Sequence, residues 1–289
     1  MFTSEINSYA KINFGLRILE KRDDGFHNLE TIFYPVRLHD KIKIKIQRSD
    51  VSSNSVILRS NKSYIPLSKD NLCYKAVEMF FREFRISDYY KIEIELDKFI
   101  PVGGGLGGGS SNASVILKFL LKYFKTDIAA NKKRILDLAL KLGSDVPFFL
   151  IQKPSYATGR GEIITVLKGF INLYDIIIVN PNLHISTKWA FEKLNFKKGI
   201  LKVPELNSIK TLDIESFPML KNDFEDIVFV KYPELKNIKD ELRKFGAVFS
   251  SMSGTGATMY GLFEKNKKGT LLKCRDYYKA KKYFTYYSV

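Results

Sequence analysis

Strict alternation of apolar and polar residues predicts several strands. Over residues 11–18, Ile12, Phe14 and Leu16 share one face, while Lys11 and Asn13 share the other. A period of two predicts a strand that buries one face and leaves Lys11 and Asn13 side by side on the exposed face. Further strands are predicted, after a turn at 21–25, over 40–46, 56–59, 90–97, 174–179, 248–252 and 258–263.

Apolar residues at helical spacing predict the intervening helices. The predicted helices cover about 71–84 (capped by Ser68 or Asp70), the segment that follows Ser111 to about Phe124, about 132–142, a short segment at Pro147, 187–194, 233–245 and a basic amphipathic helix that closes the chain. Residues 195–216 show no clear pattern and are expected to be irregular. The mixture predicts an α+β fold with an N-terminal domain over residues 1–155 and a C-terminal α/β domain over residues 156–289.

Composition narrows the class of protein. The 289 residues are 45% hydrophobic and 27% charged, as in an ordinary globular protein. No apolar run approaches the roughly 20 residues of a membrane span. Met1 to Phe14 lacks a cationic segment followed by an apolar stretch, so no signal peptide is expected and the location is predicted to be cytoplasmic. Cys73 and Cys274 share no motif and are expected to be reduced thiols. The three histidines lack the spacing of a metal site.

The net charge leaves two interpretations open. Lys and Arg number 47 against 31 acidic residues, which gives a net charge of +16. Such an excess suits either a polyanionic partner or a solvated lysine surface. The lysines are scattered, and aromatic residues are not interleaved along a basic stripe. We therefore expect no nucleic-acid partner, whose binding would weaken steeply with salt.

A glycine-rich segment joins the strand at 90–97 to the next helix. Six of the seven residues from Gly103 to Gly109 are glycine. A flexible linker is disfavoured because the segment runs directly from strand to helix, where exposed amides can bind phosphate. Ser110 stands where a Walker A loop has lysine. The dinucleotide pattern G-x-G-x-x-G also fits, but weakly, because the preceding strand is half polar and a helix follows.

The motifs then resemble a known superfamily. The segment from Pro101 to Ser111, with Ser253-Gly-Thr-Gly-Ala257, is similar to the galactokinase, homoserine kinase, mevalonate kinase and phosphomevalonate kinase (GHMP) superfamily. Three flanking motifs, Ala10-Lys-Ile-Asn13, Asp24-Gly-Phe-His-Asn-Leu29 and Leu142-Gly-Ser-Asp-Val-Pro-Phe148, resemble its branch that acts on a cytidine diphosphate substrate.

The resemblance implies a two-domain fold with the active site in the cleft between the domains. It also implies ATP and Mg²⁺ as cofactors and phosphorylation of the 2-hydroxyl of an erythritol-derived alcohol in non-mevalonate isoprenoid biosynthesis. The expected partner is this small molecule, with no nucleic acid and no membrane, and the expected state is a monomer or a homodimer. Another kinase of the superfamily, for homoserine or mevalonate, is the alternative that the motif at 24–29 disfavours.

The family motifs imply residue roles. Asp145 is the expected catalytic carboxylate, which accepts the proton of the attacking hydroxyl, and Lys11 is the cation that would keep it ionised. Without the resemblance, Asp145 is typical of a helix cap and Lys11 of a surface lysine. Either Ser110 or Ser111 is expected to reach the metal or the phosphates, and a role as helix N-cap is compatible with that contact.

The remaining expected contacts fall into two groups. The substrate contacts are Asn13, Phe26, His27, Thr187 and Phe191, with Phe26 stacking on the base and His27 reading its edge. The nucleotide contacts are Pro101, Val102, Gly103, Gly104, Gly105, Leu106, Gly107, Gly108, Gly109, Ser110, Ser111, Gly254, Thr255 and Gly256 for the phosphates, and Asn71 and Lys98 for the adenosine. Without the resemblance, Asn71 is typical of a helix start, Lys98 of a surface lysine and the second glycine loop of a hairpin turn.

Overall fold

The structure is a computed structural model that describes residues 1–194 and 205–288, and these form two compact units. Unit 1 comprises Met1–Ala10, Leu38–Ile100 and Gly107–Gln152. Unit 2 comprises Lys11–Arg37, Pro101–Leu106 and the chain from Lys153 onward. The single boundary near residue 155 stays a prediction, because two N-terminal segments cluster with the C-terminal half.

Unit 1 packs four helices on a sheet. Its strands are β3 (Ser55–Ser60), β4 (Tyr90–Asp97) and parts of β1 (Phe2–Lys21) and β2 (His27–Arg48), and its helices are α1 (Leu72–Phe84), α2 (Gly108–Tyr123), α3 (Lys132–Leu142) and α4 (Val146–Ile151). β4 pairs antiparallel with β2, with Ile44 opposite Ile94, and parallel with β3. The apolar faces of β2 and β4 and the inner faces of the helices form one hydrophobic core, because alternate strand residues point to the same side.

Unit 2 contains three sets of paired strands. β2 continues into a pairing with β5 (Ser155–Thr158), which pairs with β6 (Ile163–Val166). A second sheet has the order β10 (Phe249–Met252), β11 (Met259–Glu264), β8 (Tyr174–Asn180), β12 (Phe284–Ser288), and β7 (Ile171–Asn172) pairs with β9 (Thr211–Leu212). The helices are α5 (Thr187–Lys193), α6 (Glu225–Lys231), α7 (Pro233–Lys244) and α8 (Lys268–Ala280), with short 3₁₀ turns at Leu206–Ser208, Phe217–Met219 and Lys265–Lys267.

The structure corrects three sequence expectations. Asn71, rather than Ser68 or Asp70, caps α1, because its side chain accepts a hydrogen bond from the Cys73 amide. The chain closes with β12 rather than with the basic helix α8. The predicted irregular segment 195–216 has short elements in its described part, and residues 195–204 lie outside the described residues.

The fourth correction concerns the strand that carries Lys11. The alternation predicts one exposed face, but Lys11, Asn13 and Arg17 are as buried as the apolar residues between them. Tertiary contacts cover the polar face, which a pattern along one strand does not reveal. A polar face buried within a protein has to be hydrogen-bonded, and this one lies at the candidate site.

Two further expectations concern membrane-spanning helices and the cysteines. Among the described residues, no helix is both long enough and apolar enough to cross a membrane. Cys73 and Cys274 are both buried and free of disulfides. Burial raises the pKa of each thiol to about 12, so both are protonated at neutral pH, as expected of structural cysteines.

Candidate active site

Lys11 and Asn13 form a buried polar pair on β1. Lys11 is only 4% exposed, and its Nζ donates a 2.6 Å hydrogen bond to Asn13 Oδ1. The Lys11 ammonium also lies 4.9 Å from the centre of the Phe33 ring. The Asn13 amide group donates to Thr31 Oγ1 at 2.9 Å, and the Thr31 hydroxyl in turn donates to the carbonyl of Gly15. These contacts fix both side chains in one orientation each.

The first glycine loop lies directly beside this pair within unit 2. The Lys11 amide donates to the carbonyl of Leu106 at 3.0 Å. Gly105 has a φ of +75°, a conformation that suits glycine. A Cβ at Gly105 would lie 2.1 Å from the Ser253 carbonyl oxygen. The loop can therefore approach its neighbour this closely only as bare backbone.

The second glycine loop completes the arrangement in unit 2. Ser253 Oγ donates to the Gly105 carbonyl at 3.0 Å and accepts a hydrogen bond from the backbone N–H of Asn13 at 3.2 Å. The loop connects β10 to β11, which pair from Met252 opposite Met259, so it is a hairpin turn as well as a candidate ligand loop. Residues 11–13, 103–106 and 253–256 thus converge through hydrogen bonds in one unit.

The start of α2 lies in unit 1. Gly107, in the left-handed conformation at φ 70°, precedes the helix, and the first turn carries no acidic residue. Ser111 is buried, and its hydroxyl accepts a 2.7 Å hydrogen bond from Ser8. Ser110 is half-buried and lies near the backbone of Gly143, the residue before the Ser144–Asp145 pair. Of the two candidates for the metal, Ser110 is the more accessible.

Asp145 directly precedes α4 in unit 1. It takes the N-cap position and is half-buried, but among the described residues its side chain makes no capping hydrogen bond to the helix. Pro147 at the helix start needs no amide partner, which lowers the demand for a cap. Asp145 therefore lies where a helix cap is expected, but its carboxylate does not act as the cap.

Asn71 and Lys98 are engaged within unit 1. Asn71 caps α1, and its amide group donates to the Pro66 carbonyl at 2.7 Å. Lys98 is buried rather than a surface lysine, and its ammonium forms an ion pair with Asp40 and donates to Asn112 Oδ1 at 2.8 Å. Their expected contacts with adenosine stay predictions.

The turn between β1 and β2 carries the aromatic pair of the family motif. The Phe26 side chain is 50% exposed, and the Arg160 guanidinium lies 4.4 Å from the centre of its ring. His27 stacks on Phe191 with 5.1 Å between ring centres and 27° between planes. Burial, and then the charge of Lys21, lower the pKa of His27, so its ring is neutral near pH 7.

Helix α5 supplies the other two expected substrate contacts. Phe191 packs edge-on against Phe224 at 4.9 Å, which orients the ring that His27 stacks on. Thr187 is exposed, and its hydroxyl lies 3.3 Å from that of Thr255 in the second glycine loop. The structure thus brings His27 together with Phe191, and Thr187 together with Thr255.

Three polar residues that contact these loops or the turn at Phe26 belong to no motif in the sequence. Asn222 is buried beneath the second loop, and its side chain donates to the carbonyls of Met252 and Gly254 at 2.8 and 2.9 Å. His184 lies against the first loop, with Nδ1 2.3 Å from where a Cβ of Gly103 would be. Arg160 covers Phe26. Each is far from the loop motifs in sequence. Only Arg160 lies in a pattern with a structural meaning, because Gly159 and Gly161 on either side of it predict a turn.

Comparison with protein families identifies the class. The model described as "GHMP kinases N terminal domain" matches residues 71–153, and that described as "GHMP kinases C terminal" matches residues 203–279. The fold and its two glycine loops therefore define a GHMP kinase. The chain belongs to the 4-diphosphocytidyl-2-C-methyl-D-erythritol kinase family within that class.

The relatives that show this cover nearly the whole chain. The kinase of that name from Bacteroides thetaiotaomicron is 40% identical over 91% of this chain and 92% of its own. The kinase of that name from Chlorobium luteolum is 37% identical over 90% of this chain and 88% of its own. A crystal structure of a 4-(cytidine 5'-diphospho)-2C-methyl-D-erythritol kinase superposes with a TM-score of 0.77 and 27% identity, covering 98% of each chain.

A more distant structure shows how widely the fold is shared. A homoserine kinase from Cytophaga hutchinsonii superposes with a TM-score of 0.66 at 16% identity, covering 100% of this chain and 96% of its own. The predicted α+β GHMP fold and the small-molecule kinase class are thus confirmed. The active site in a cleft between domains stays a prediction.

Proposed function

We propose that the protein transfers the γ-phosphoryl group of ATP to the 2-hydroxyl of 4-diphosphocytidyl-2-C-methyl-D-erythritol, giving the 2-phosphate and ADP for isoprenoid precursor biosynthesis. The observation that carries the proposal is the backbone bond from Lys11 to Leu106, which places the motif lysine beside the glycine loop. The similarity to kinases of that name over about nine tenths of the chain supports the substrate.

The proton and charge movements follow from the side chains. The substrate oxygen attacks the γ-phosphorus, the bond from that phosphorus to the bridging oxygen breaks, and the hydroxyl proton passes to the Asp145 carboxylate. Lys11 offsets negative charge on the transferring group. Because Lys11 is nearly buried and oriented by Asn13, its charge needs little reorganisation and acts where water screens it weakly.

The glycine loops bind the phosphates through backbone amides. The first turn of α2 carries no acidic residue, and its amides point toward the helix start. A helix start of this kind favours an anion. This explains how the chain works without a Walker lysine.

Mg²⁺ fits the donors that are present. It binds oxygen atoms, keeps several waters and needs only one or two protein ligands when it travels with phosphates. Ser110, the more accessible of the two candidate serines, would hold it together with waters and the phosphates, and it would neutralise charge on the phosphates of the nucleotide. In the described part of the chain, no group of three or more His, Cys, Asp or Glu residues could hold a metal ion.

The cytidine head is recognised by the stacked residues of unit 2. A neutral His27 has one donor and one acceptor nitrogen, so it can donate to the N3 or O2 acceptor of cytosine or accept from its N4 amino group. The open side of the half-exposed Phe26 ring stacks on the base, and Arg160 holds the other side. Thr187 and Phe191 complete this wall.

The decisive assay follows ATP consumption and product by ³¹P NMR with the purified protein and Mg²⁺. We expect turnover with the cytidylyl alcohol and essentially none with homoserine or mevalonate. Asp145→Asn and Lys11→Met should lower kcat by at least about 100-fold, because each removes a group that acts in the transition state. Asp127→Asn, at an exposed position, and Lys43→Met, at a half-buried one, both lie in unit 1 and serve as controls.

Two results would count against the proposal. Equal turnover of homoserine or mevalonate would overturn the substrate, and full activity of Asp145→Asn would overturn the proton transfer while leaving the family intact. Cytoplasmic location, absence of a nucleic-acid partner, and a monomeric or homodimeric state stay predictions from the sequence.

A further inference from the structure

A charged hydrogen-bond network is buried beneath the start of α2 in unit 1. Its members are Ser8, Asp40, Lys98, Ser111 and Asn112, hereafter the Asp40 network, and all five are buried. Asp40 is 0% exposed. Burying an ion pair is costly unless every lone pair and proton finds a partner, so such a network is expected to serve a purpose beyond stability.

Asp40 holds the chain that enters the glycine loop. Its Oδ1 accepts the amides of Phe99 at 2.8 Å and Ile100 at 2.9 Å, and Ile100 directly precedes Pro101. Its Oδ2 pairs with the Lys98 ammonium. Three consecutive residues at the loop entrance are therefore tied to one carboxylate.

The same carboxylate holds the chain that leaves the loop. Asn112, in the first turns of α2, donates from Nδ2 to Asp40 Oδ2 and to Ser8 Oγ, each at 2.9 Å, and accepts Lys98 Nζ at 2.8 Å. The Ser8 hydroxyl in turn donates to Ser111 Oγ at 2.7 Å. A Cβ at Gly108 would lie 3.3 Å from Lys98 Nζ, so the first residue of α2 rests on the network.

We infer that Asp40 is a positioning residue for nucleotide binding. By tying residues 98–100 to residues 111–112, it fixes the distance and orientation between the two ends of the first glycine loop. The loop then presents its amides to the phosphates without ordering on binding, which lowers the entropic cost of holding them. The inference rests on the proposed function, in which this loop binds the phosphates of ATP.

The variant Asp40→Asn tests the role of the charge. Asparagine keeps Oδ1 for the two backbone amides, but its NH₂ group faces Lys98 Nζ and Asn112 Nδ2, which are both donors. Asn112→Leu instead leaves the Asp40–Lys98 pair intact and removes only the link to α2. Ile94→Ala, in the core of unit 1, is the control for loss of stability alone.

Steady-state kinetics and calorimetry of Mg·ATP binding separate the two roles. We expect both network variants to raise KM and Kd for ATP at least about fivefold while KM for the alcohol changes less than about twofold. Ile94→Ala should lower the folded fraction and so kcat, with both KM values unchanged. If Asp40→Asn does not fold, Asn112→Leu decides.

An unchanged KM and Kd for ATP in a folded network variant with a lowered Tm would overturn the inference, since the network would then be structural only. Failure of the proposed function is distinguishable from failure of this inference. In that case the wild type would bind ATP without phosphorylating the cytidylyl alcohol, and comparing the Kd values for ATP would still decide the role of Asp40. A wild type that does not bind ATP would overturn both.

Discussion

The backbone of Gly105 passes so close to Ser253 that a Cβ on Gly105 would lie 2.1 Å from the Ser253 carbonyl oxygen. The Ser253 hydroxyl donates to the Gly105 carbonyl at 3.0 Å, which locks the two loops together. Two segments nearly 150 positions apart thus meet through backbone and one hydroxyl, and their meeting fixes the loop amides that we propose bind the phosphates.

Gly105→Ala should separate the two loops. The new methyl group meets a backbone carbonyl, which has no rotamer to escape into, so the loops must move apart. A misplacement of about 1 Å at a reacting group can lower activity about 100-fold. We expect a fall in kcat/KM of that order in the ATP-dependent assay.

Gly169→Ala is the matched control. Gly169 also has a positive φ, of +74°, but no heavy atom of the described chain lies within 4 Å of its Cβ position. It carries the backbone strain without the clash. Equal losses of activity in the two variants would mean that strain, and not the contact with Ser253, explains the effect.

Asn222→Asp should loosen the second glycine loop. The substitution replaces the NH₂ group that donates to the Met252 and Gly254 carbonyls by an oxygen that faces them. A buried acceptor that loses its partner costs about 1–3 kcal/mol. We expect unit 2 to lose at least about 2 kcal/mol of unfolding free energy on that scale. The fluorescence of Trp189, the one tryptophan of the chain, reports its unfolding in urea.

Asn207→Asp, beside the exposed Glu205, is the control for a carboxylate in place of an amide. It should change the urea midpoint much less, since its side chain is not tied to a buried carbonyl. A midpoint for Asn222→Asp equal to that of the wild type would refute the assigned role of Asn222.

Glu30→Gln should destabilise unit 2 more strongly. Glu30 and Arg17 form a buried ion pair at 2.8 Å, and Glu30 Oε2 also accepts the Tyr156 hydroxyl at 2.9 Å. Removing the Glu30 charge takes the carboxylate away from the buried Arg17 guanidinium, and breaking a buried ion pair costs about 3–5 kcal/mol. Asp240→Asn, which breaks the exposed Lys236–Asp240 pair on α7, should cost at most about 0.5 kcal/mol. Similar losses from the two variants would contradict this account.

The titration of His27 gives a prediction with a defined sign. Burial, then the positive charge of Lys21, lower its pKa below the ordinary value of 6.5. The unfolded chain therefore binds the proton more readily. The stability that neutral His27 contributes is complete above pH 6.5 and is lost as the pH falls from there through the folded pKa.

NMR titration of the His27 ring should show this lowered pKa, and Lys21→Gln should raise it part of the way back. His27→Gln should remove the associated loss of stability at acidic pH. A ring that titrates at or above the ordinary value in the wild type would show that His27 is not desolvated as the structure has it.

Local patterns in the sequence predicted most of the elements and the family. Alternation over β4, helical spacing in α1 and α2, and the spacing of the glycine motifs depend only on local order along the chain, so they are readable without coordinates. The family motifs also singled out Lys11 and Asp145. The alternation on β1 was misleading in one respect, because it predicted an exposed polar face.

Which polar residues meet depends on how the elements pack together. Asp40 reaches both ends of the first loop, Asn222 supports the second, and Lys98 lies in a buried ion pair rather than on the surface. Each of these contacts joins residues that are far apart in sequence. Hydrogen bonds between distant segments depend on how the strands and helices pack together, and a period within one segment holds no information about that packing.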